Sequence, residues 1–157
     1  MLKRNDTAPF DLLSWLEGRT LAEGVFEDRG GRVRRRFTVE LNGTAEANAL
    51  RLNERFIFDN GERQERTWVL TRGPDRSFIG RAEDSVSEAH GRFDEGVAYL
   101  SSRLWLKVGK RKIAMHFDDA FYPAGPGLVL NRSTMSKWGI RLGQILIQFR
   151  KAGQRSP

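Results

Sequence analysis

Three ionic side chains sit at positions whose neighbours two residues away are apolar. Val33, Arg35, Phe37, Val39 and Leu41 form one alternating set, Leu50, Leu52, Glu54, Phe56 and Phe58 a second, and Arg66, Trp68 and Leu70 a third. Residues two apart share a face of a strand, so Arg35, Glu54 and Arg66 are expected to point inward on three successive strands. An isolated buried charge is costly, which leaves two readings. The three pair with one another and hold strand register, or they anchor the carboxylate or phosphate of a ligand, which two arginines suit through bidentate bonding. Trp68, Phe56 and Phe117 are the apolar candidates for the same interior.

A second set with chemical potential lies in Ile113 to Tyr122, where His116 and Asp118 share a strand face. Two ligands do not complete a metal site, and the other histidine, His90, is remote in sequence. No metal and no cofactor is expected. With no cysteine in the chain, disulfides, thiolate sites and cysteine nucleophiles are excluded. Gly80-Arg81-Ala82-Glu83-Asp84 is the nearest approach to a nucleotide motif, and it lacks the strand, glycine loop and helix of a phosphate site. There is no G-x-S-x-G elbow. Catalysis would have to rest on Glu54 or His116, and the expectation is a protein that is not an enzyme.

The elements that must hold these residues are marked by turn signals at near-regular spacing. Asp28-Arg29-Gly30-Gly31, Asn42-Gly43, Asp59-Asn60-Gly61, Gly73-Pro74-Asp75, Asp94-Glu95-Gly96, Gly109-Lys110 and Pro123 to Gly127 separate segments rich in Val, Ile, Phe, Trp and Thr. Strands are predicted at about 20–29, 33–41, 46–58, 63–72, 77–84, 86–94, 97–108, 111–122, 127–133 and 139–150. So many antiparallel strands in one open sheet would leave two edges exposed, which closure removes. The fold expected is all-β: an up-and-down antiparallel barrel of about eight to ten strands, wide enough for a small cavity. Phe10 to Gly18, between Pro9 and a glycine stop, reads as a short helix that plugs one end. Gly80, Gly91, Gly139 and Gly143 fall within or at the edge of strands and suggest barrel corners or close approach of a group. One domain is expected over 10–151, with loose ends at 1–9 and 152–157.

The chain of 157 residues carries 27 basic and 20 acidic side chains, a net charge of +7, concentrated in Arg32 to Arg36, Lys107 to Lys112 and Arg150-Lys151. This favours anionic partners. The aromatic residues fall on the strand face opposite the charges, so no specific nucleic-acid surface is expected. No apolar run reaches the length of a signal peptide or a membrane span. The expectation is a cytoplasmic protein, or an envelope-associated one if its start has been trimmed.

Asp28 to Phe37, Leu52-Asn53-Glu54-Arg55-Phe56 with Asp59 and Gly61, Arg66-Thr67-Trp68, Gly80 to Asp84, Phe117-Asp118-Asp119 and Asn131 to Gly139 together resemble the bacterial domain-of-unknown-function family 3833, in order along nearly the whole chain. The family is similar to calycin-like, lipocalin-type barrels, so the resemblance implies a fold that often binds apolar small molecules. Many members resemble lipoproteins of the envelope. This chain departs in lacking the lipid-bearing Cys, and in Ser87 where a glycine is expected. The leading expectation is a barrel that binds a small apolar or amphipathic, fatty-acid-like ligand, with Arg35, Glu54 and Arg66 as its polar contact. The alternative is a barrel filled by its own side chains whose basic exterior meets an anionic membrane surface or a partner protein.

Overall fold

A computed structural model describes residues 9–153; the segments 1–8 and 154–157, where loose ends were expected, lie outside them. A helix, α1 (Leu12–Trp15), precedes ten strands: β1 (Gly18–Asp28), β2 (Val33–Glu46), β3 (Ala49–Phe58), β4 (Arg63–Arg72), β5 (Ser77–Ala82), β6 (Ala89–Asp94), β7 (Val97–Val108), β8 (Arg111–Gly125), β9 (Leu128–Lys137) and β10 (Ile140–Lys151). Each strand pairs antiparallel with its sequence neighbours, and β1 pairs with β10 from Thr20↔Lys151 to Asp28↔Gly143. The sheet is thereby a closed ten-stranded up-and-down barrel without edges. Tight turns with positive φ at Gly31, Gly61, Gly96 and Gly109 connect hairpins, as the turn signals predict.

Two glycines behave differently from their sequence reading. Asn42-Gly43 does not turn the chain: β2 runs through it, and the reversal comes at Ala47, whose φ is +31°. A Cβ on Gly43 would collide with the carbonyl oxygen of Leu16, so this glycine admits the end of the helix against the strand. Gly139 belongs to the turn before β10, with φ +75°, not to a strand. Among the other strand glycines, Gly91 faces the ring of Phe78 and Gly80 faces Leu70 and Trp68. They make room for large interior side chains.

The two ends of the barrel differ. At one end α1 acts as a plug. A single helical turn has no stability of its own, and it is held from outside. Asp11 caps it by accepting from the Leu13 N–H at 3.0 Å, while Arg72 donates to Asp11 Oδ2 at 2.7 Å and to Ser14 Oγ at 2.9 Å. Lys151 donates to the Glu17 carbonyl at 2.7 Å and to Thr20 Oγ1 at 2.9 Å. Leu12 and Leu13 press into Leu41, Leu50, Leu70, Phe78 and Val129, all almost fully buried. At the opposite end the inward-facing Phe58, Leu106, Ile113, Met135 and Ile145 remain only half-buried. Water still reaches these interior side chains, and this end, which no helix among the described residues crosses, is the mouth of the barrel.

Candidate functional site

The mouth has an aromatic wall and an aliphatic wall. Phe37 of β2 and Phe56 and Phe58 of β3 form the first: the rings of Phe56 and Phe58 stack with centroids 6.2 Å apart, and Phe37 tilts against both at 6.1 and 5.7 Å. Alternation along neighbouring strands brings them together, since Phe37 stands opposite Phe58 in register. Leu106 and Ile113, opposite one another on β7 and β8, with Met135 and Ile145, provide the second.

The floor is polar. Glu54 stands directly opposite Arg66 in the β3–β4 register, and both face the interior, as alternation predicts. Arg66 does not spend its donors on Glu54. Its Nε and Nη2 donate to both carboxylate oxygens of Asp84, at 3.0, 3.0 and 2.7 Å. Asp84 lies in the loop after β5, which is fastened to the barrel by the Glu83 carboxylate accepting from the Thr67 N–H and by Trp105 N–H donating to the Asp84 carbonyl. Glu54 receives the indole N–H of Trp68, which is buried beneath it. Across the lumen Asp119 accepts from Asn131 Nδ2 at 3.1 Å and from the Ser133 hydroxyl.

Burial sets the protonation of this floor. It raises the Glu54 pKa from 4.5 to about 7, against the opposing pull of Arg66 and the Trp68 hydrogen bond. It raises that of Asp119 from 3.8 to about 6, although Asn131 and Ser133 stabilise the anion. Arg66 is also desolvated, but Asp84 and Glu54 outweigh that and hold its pKa above the usual value. Three carboxyl groups and one guanidinium therefore share the floor, and two of the acids keep their protons to higher pH than free carboxyl groups do.

Arg35 is not part of this cluster, contrary to the expectation of an Arg35, Glu54 and Arg66 network. It shares the inner face of β2 but sits at the rim, where it donates to Glu62 Oε2 at 3.1 Å and Asn60 Oδ1 at 3.3 Å, with its guanidinium 4.0 Å above the Phe58 ring. The alternation was right and the height along the barrel was not. Three two-residue steps separate Arg35 from Leu41, which faces Glu54, because Phe37 and Val39 face Phe58 and Phe56 in between. Phe117 lies inside, buried, two residues before Asp119. Asp119 and Asp84 were the residues missed. Asp119 shares the parity of Phe117, so alternation would have placed it inward, whereas Asp84 reaches the floor from a loop.

The pair His116 and Asp118 lies on the outer wall. His116 Nε2 is 3.0 Å from Asp118 Oδ2 and 3.4 Å from Ser101 Oγ, beside a shallow groove of about 330 Å³ that His90 and Tyr99 also line. One ring nitrogen meets both partners. A hydroxyl relay needs the carboxylate on the other nitrogen, so this constellation does not activate Ser101. Among the described residues no three His, Asp or Glu side chains gather closely enough to hold a metal ion, and no helix is long and apolar enough to cross a membrane.

Solved structures share this architecture. The S-type phycobiliprotein lyase CPES from Guillardia theta superposes with a TM-score of 0.68 at 11% identity, with 92% of each chain covered. A protein of unknown function from the DUF3598 family of Nostoc punctiforme PCC 73102 gives 0.63 at 15% identity; the match covers 92% of this chain and 51% of that one, so this chain spans about half its length. At such identities the likeness is one of fold, a calycin-like, lipocalin-type barrel. No curated protein matches the sequence. The family described as "Protein of unknown function (DUF3833)" matches residues 2–151, nearly the entire chain, and the protein belongs to that family.

Proposed function

We propose that the barrel is a binding protein, not an enzyme, that takes one small amphipathic molecule into its open mouth. The observation that carries this reading is the set of inward-facing apolar side chains, Phe58, Leu106, Ile113, Met135 and Ile145, left half-buried where a filled barrel would seal them. Such a mouth gains free energy when an apolar body enters between the aromatic and aliphatic walls. Polarity sets the orientation. The floor is rich in carboxyl groups and its one arginine is already held by Asp84, so a ligand carboxylate or phosphate is unwelcome there. A fatty-acid-like molecule would insert its chain and leave its anionic end at the rim, near Arg35.

Native mass spectrometry of the freshly purified protein, followed by organic extraction, tests the reading. A stoichiometric apolar or amphipathic species is expected, and Nile red should bind the extracted protein. Ile145→Trp, which fills the mouth from the aliphatic wall, should abolish dye binding with the fold retained. A clean apo mass together with no dye binding would remove the proposal.

A further inference from the structure

We infer that the protein docks on an anionic lipid surface through three adjacent hairpin tips at one sector of its open rim. The inference goes beyond ligand binding, since the rim is built in this way whether or not the mouth is occupied.

Charge is divided unevenly along the chain. Residues 1–95 carry sixteen basic and eighteen acidic side chains, whereas residues 96–157 carry eleven and two. The positive portion is not spread evenly over the barrel. In the closed order β1, β10, β9, β8, β7, the β1–β2, β9–β10 and β7–β8 turns are neighbours at the open end. The β7–β8 tip exposes Lys107, Lys110, Arg111 and Lys112, the β9–β10 tip Arg141, and the β1–β2 tip Arg29 and Arg32. The other sector of the rim is mixed in charge: Asp59 and Glu62 of the β3–β4 turn stand beside Arg35 and Arg63, and Glu83 lies in the loop after β5.

Exposed apolar side chains stand among these cations. Val108 on the first tip is 55% exposed, Trp138 and Ile140 on the second 86% and 51%, and Val33 beside the third 39%. Aromatic and aliphatic tips ringed by Lys and Arg match the interface of an anionic bilayer, where the rings enter the headgroup layer and the cations remain at the phosphates. Nucleic acid would satisfy the charges and leave Val108 and Ile140 in water.

Two further features support the tips as a docking device. The β8–β9 ladder ends at His116↔Ser136 while the β7–β8 ladder continues to Val108↔Arg111, so this hairpin projects past its neighbour as a two-stranded ribbon. Lys137 ties the next tip to the ribbon's base by donating to the Ala114 carbonyl at 2.8 Å. Trp138 also adopts φ +52° at the first central position of its turn, followed by Gly139 at +75°. That position suits Asn, Asp or Gly, and a bulky residue there is strained. Strain retained at an exposed tip points to use of the side chain.

Cosedimentation of the full chain at low salt is measured with vesicles of phosphatidylcholine alone and of phosphatidylcholine mixed with phosphatidylglycerol. Binding to the mixed vesicles only is expected. Lys110→Glu with Lys112→Glu should weaken it by about 25-fold or more, at about fivefold per charge removed. Arg19→Glu with Arg92→Glu, the same charge change made elsewhere on the outer wall, should alter it far less. Trp138→Asn should raise the melting temperature by relieving the turn and weaken vesicle binding several-fold, and it keeps the test decisive if the reversal disturbs the hairpin. Absence of binding to the mixed vesicles, equal losses from the two charge pairs, unchanged binding by Trp138→Asn, or binding of a single-stranded oligonucleotide in place of vesicles would each overturn the inference.

Discussion

At the level of single residues, the floor of the mouth is a proton store. Glu54 and Asp119 have pKa values near 7 and 6 in the fold and near 4.5 and 3.8 as free side chains. The folded state therefore binds more protons than the unfolded chain across this interval, and stability falls as pH rises from about 4 to about 7. Urea unfolding at pH 5 and pH 8 should show a loss of about 1–3 kcal/mol, and Glu54→Gln, which keeps a partner for Trp68, should shrink it. An unchanged slope in the variant would mean that water already solvates Glu54 through the mouth. Arg66 carries the opposite risk. Its side chain is 12% exposed and bound to Asp84 by a two-pronged contact. Arg66→Ala strands Asp84 and Glu54 together and should cost about 3–5 kcal/mol by chemical denaturation. Part of this floor was legible in the sequence: period-two alternation placed Glu54 and Arg66 on the inner faces of successive strands. It did not reveal that Arg35 stands at a different height, because height depends on register between strands. Nor could it supply Asp84, which arrives from an irregular loop.

Among the elements, the strands were readable because turn residues and alternation agree, and all ten predicted segments correspond to strands of the closed barrel. The failures arose where a glycine served packing. Asn42-Gly43 has the composition of a tight turn, yet Gly43 lies in mid-strand so that the Leu16 carbonyl can rest upon it. The two roles predict opposite responses. In a turn, Gly43→Asn would be tolerated, since Asn accepts positive φ. In the strand, its Cβ meets the end of the plug and must displace it. A loss of about 1–3 kcal/mol is expected from thermal or urea unfolding, along with a change in fluorescence from the half-buried Trp15, which Lys151 overlies at 5.0 Å. Tolerance of Asn would show that the plug shifts at no cost. Gly91→Ala presses on the buried ring of Phe78 and belongs to the same class.

For the molecule as a whole, a closed sheet distributes backbone hydrogen bonding evenly, but packing is concentrated at one end. The plugged end buries Leu12, Leu13, Leu41, Leu50 and Val129 almost completely, while the mouth leaves its lining half-exposed and ends in a ribbon paired on one side only. Local opening follows that gradient, since regions with few buried apolar contacts open at a fraction of the global free energy. Hydrogen exchange followed by mass spectrometry should find the amides of 107–113 exchanging first and those of 38–42, 49–53 and 128–131 last. Those core amides should approach the rate set by global unfolding, because the barrel cannot release an interior strand without breaking two ladders. Nile red held in the mouth should slow exchange around Phe56 and Ile113 and leave the plugged end unchanged, since a ligand protects what it orders. If the plugged end were slowed equally, the two halves would form one cooperative unit and the mouth would be no looser than the core. If the ribbon alone were slowed, the dye would be resting on the rim. A ligand seated in the mouth above the plugged base predicts protection that begins on the inner walls and fades toward the helix.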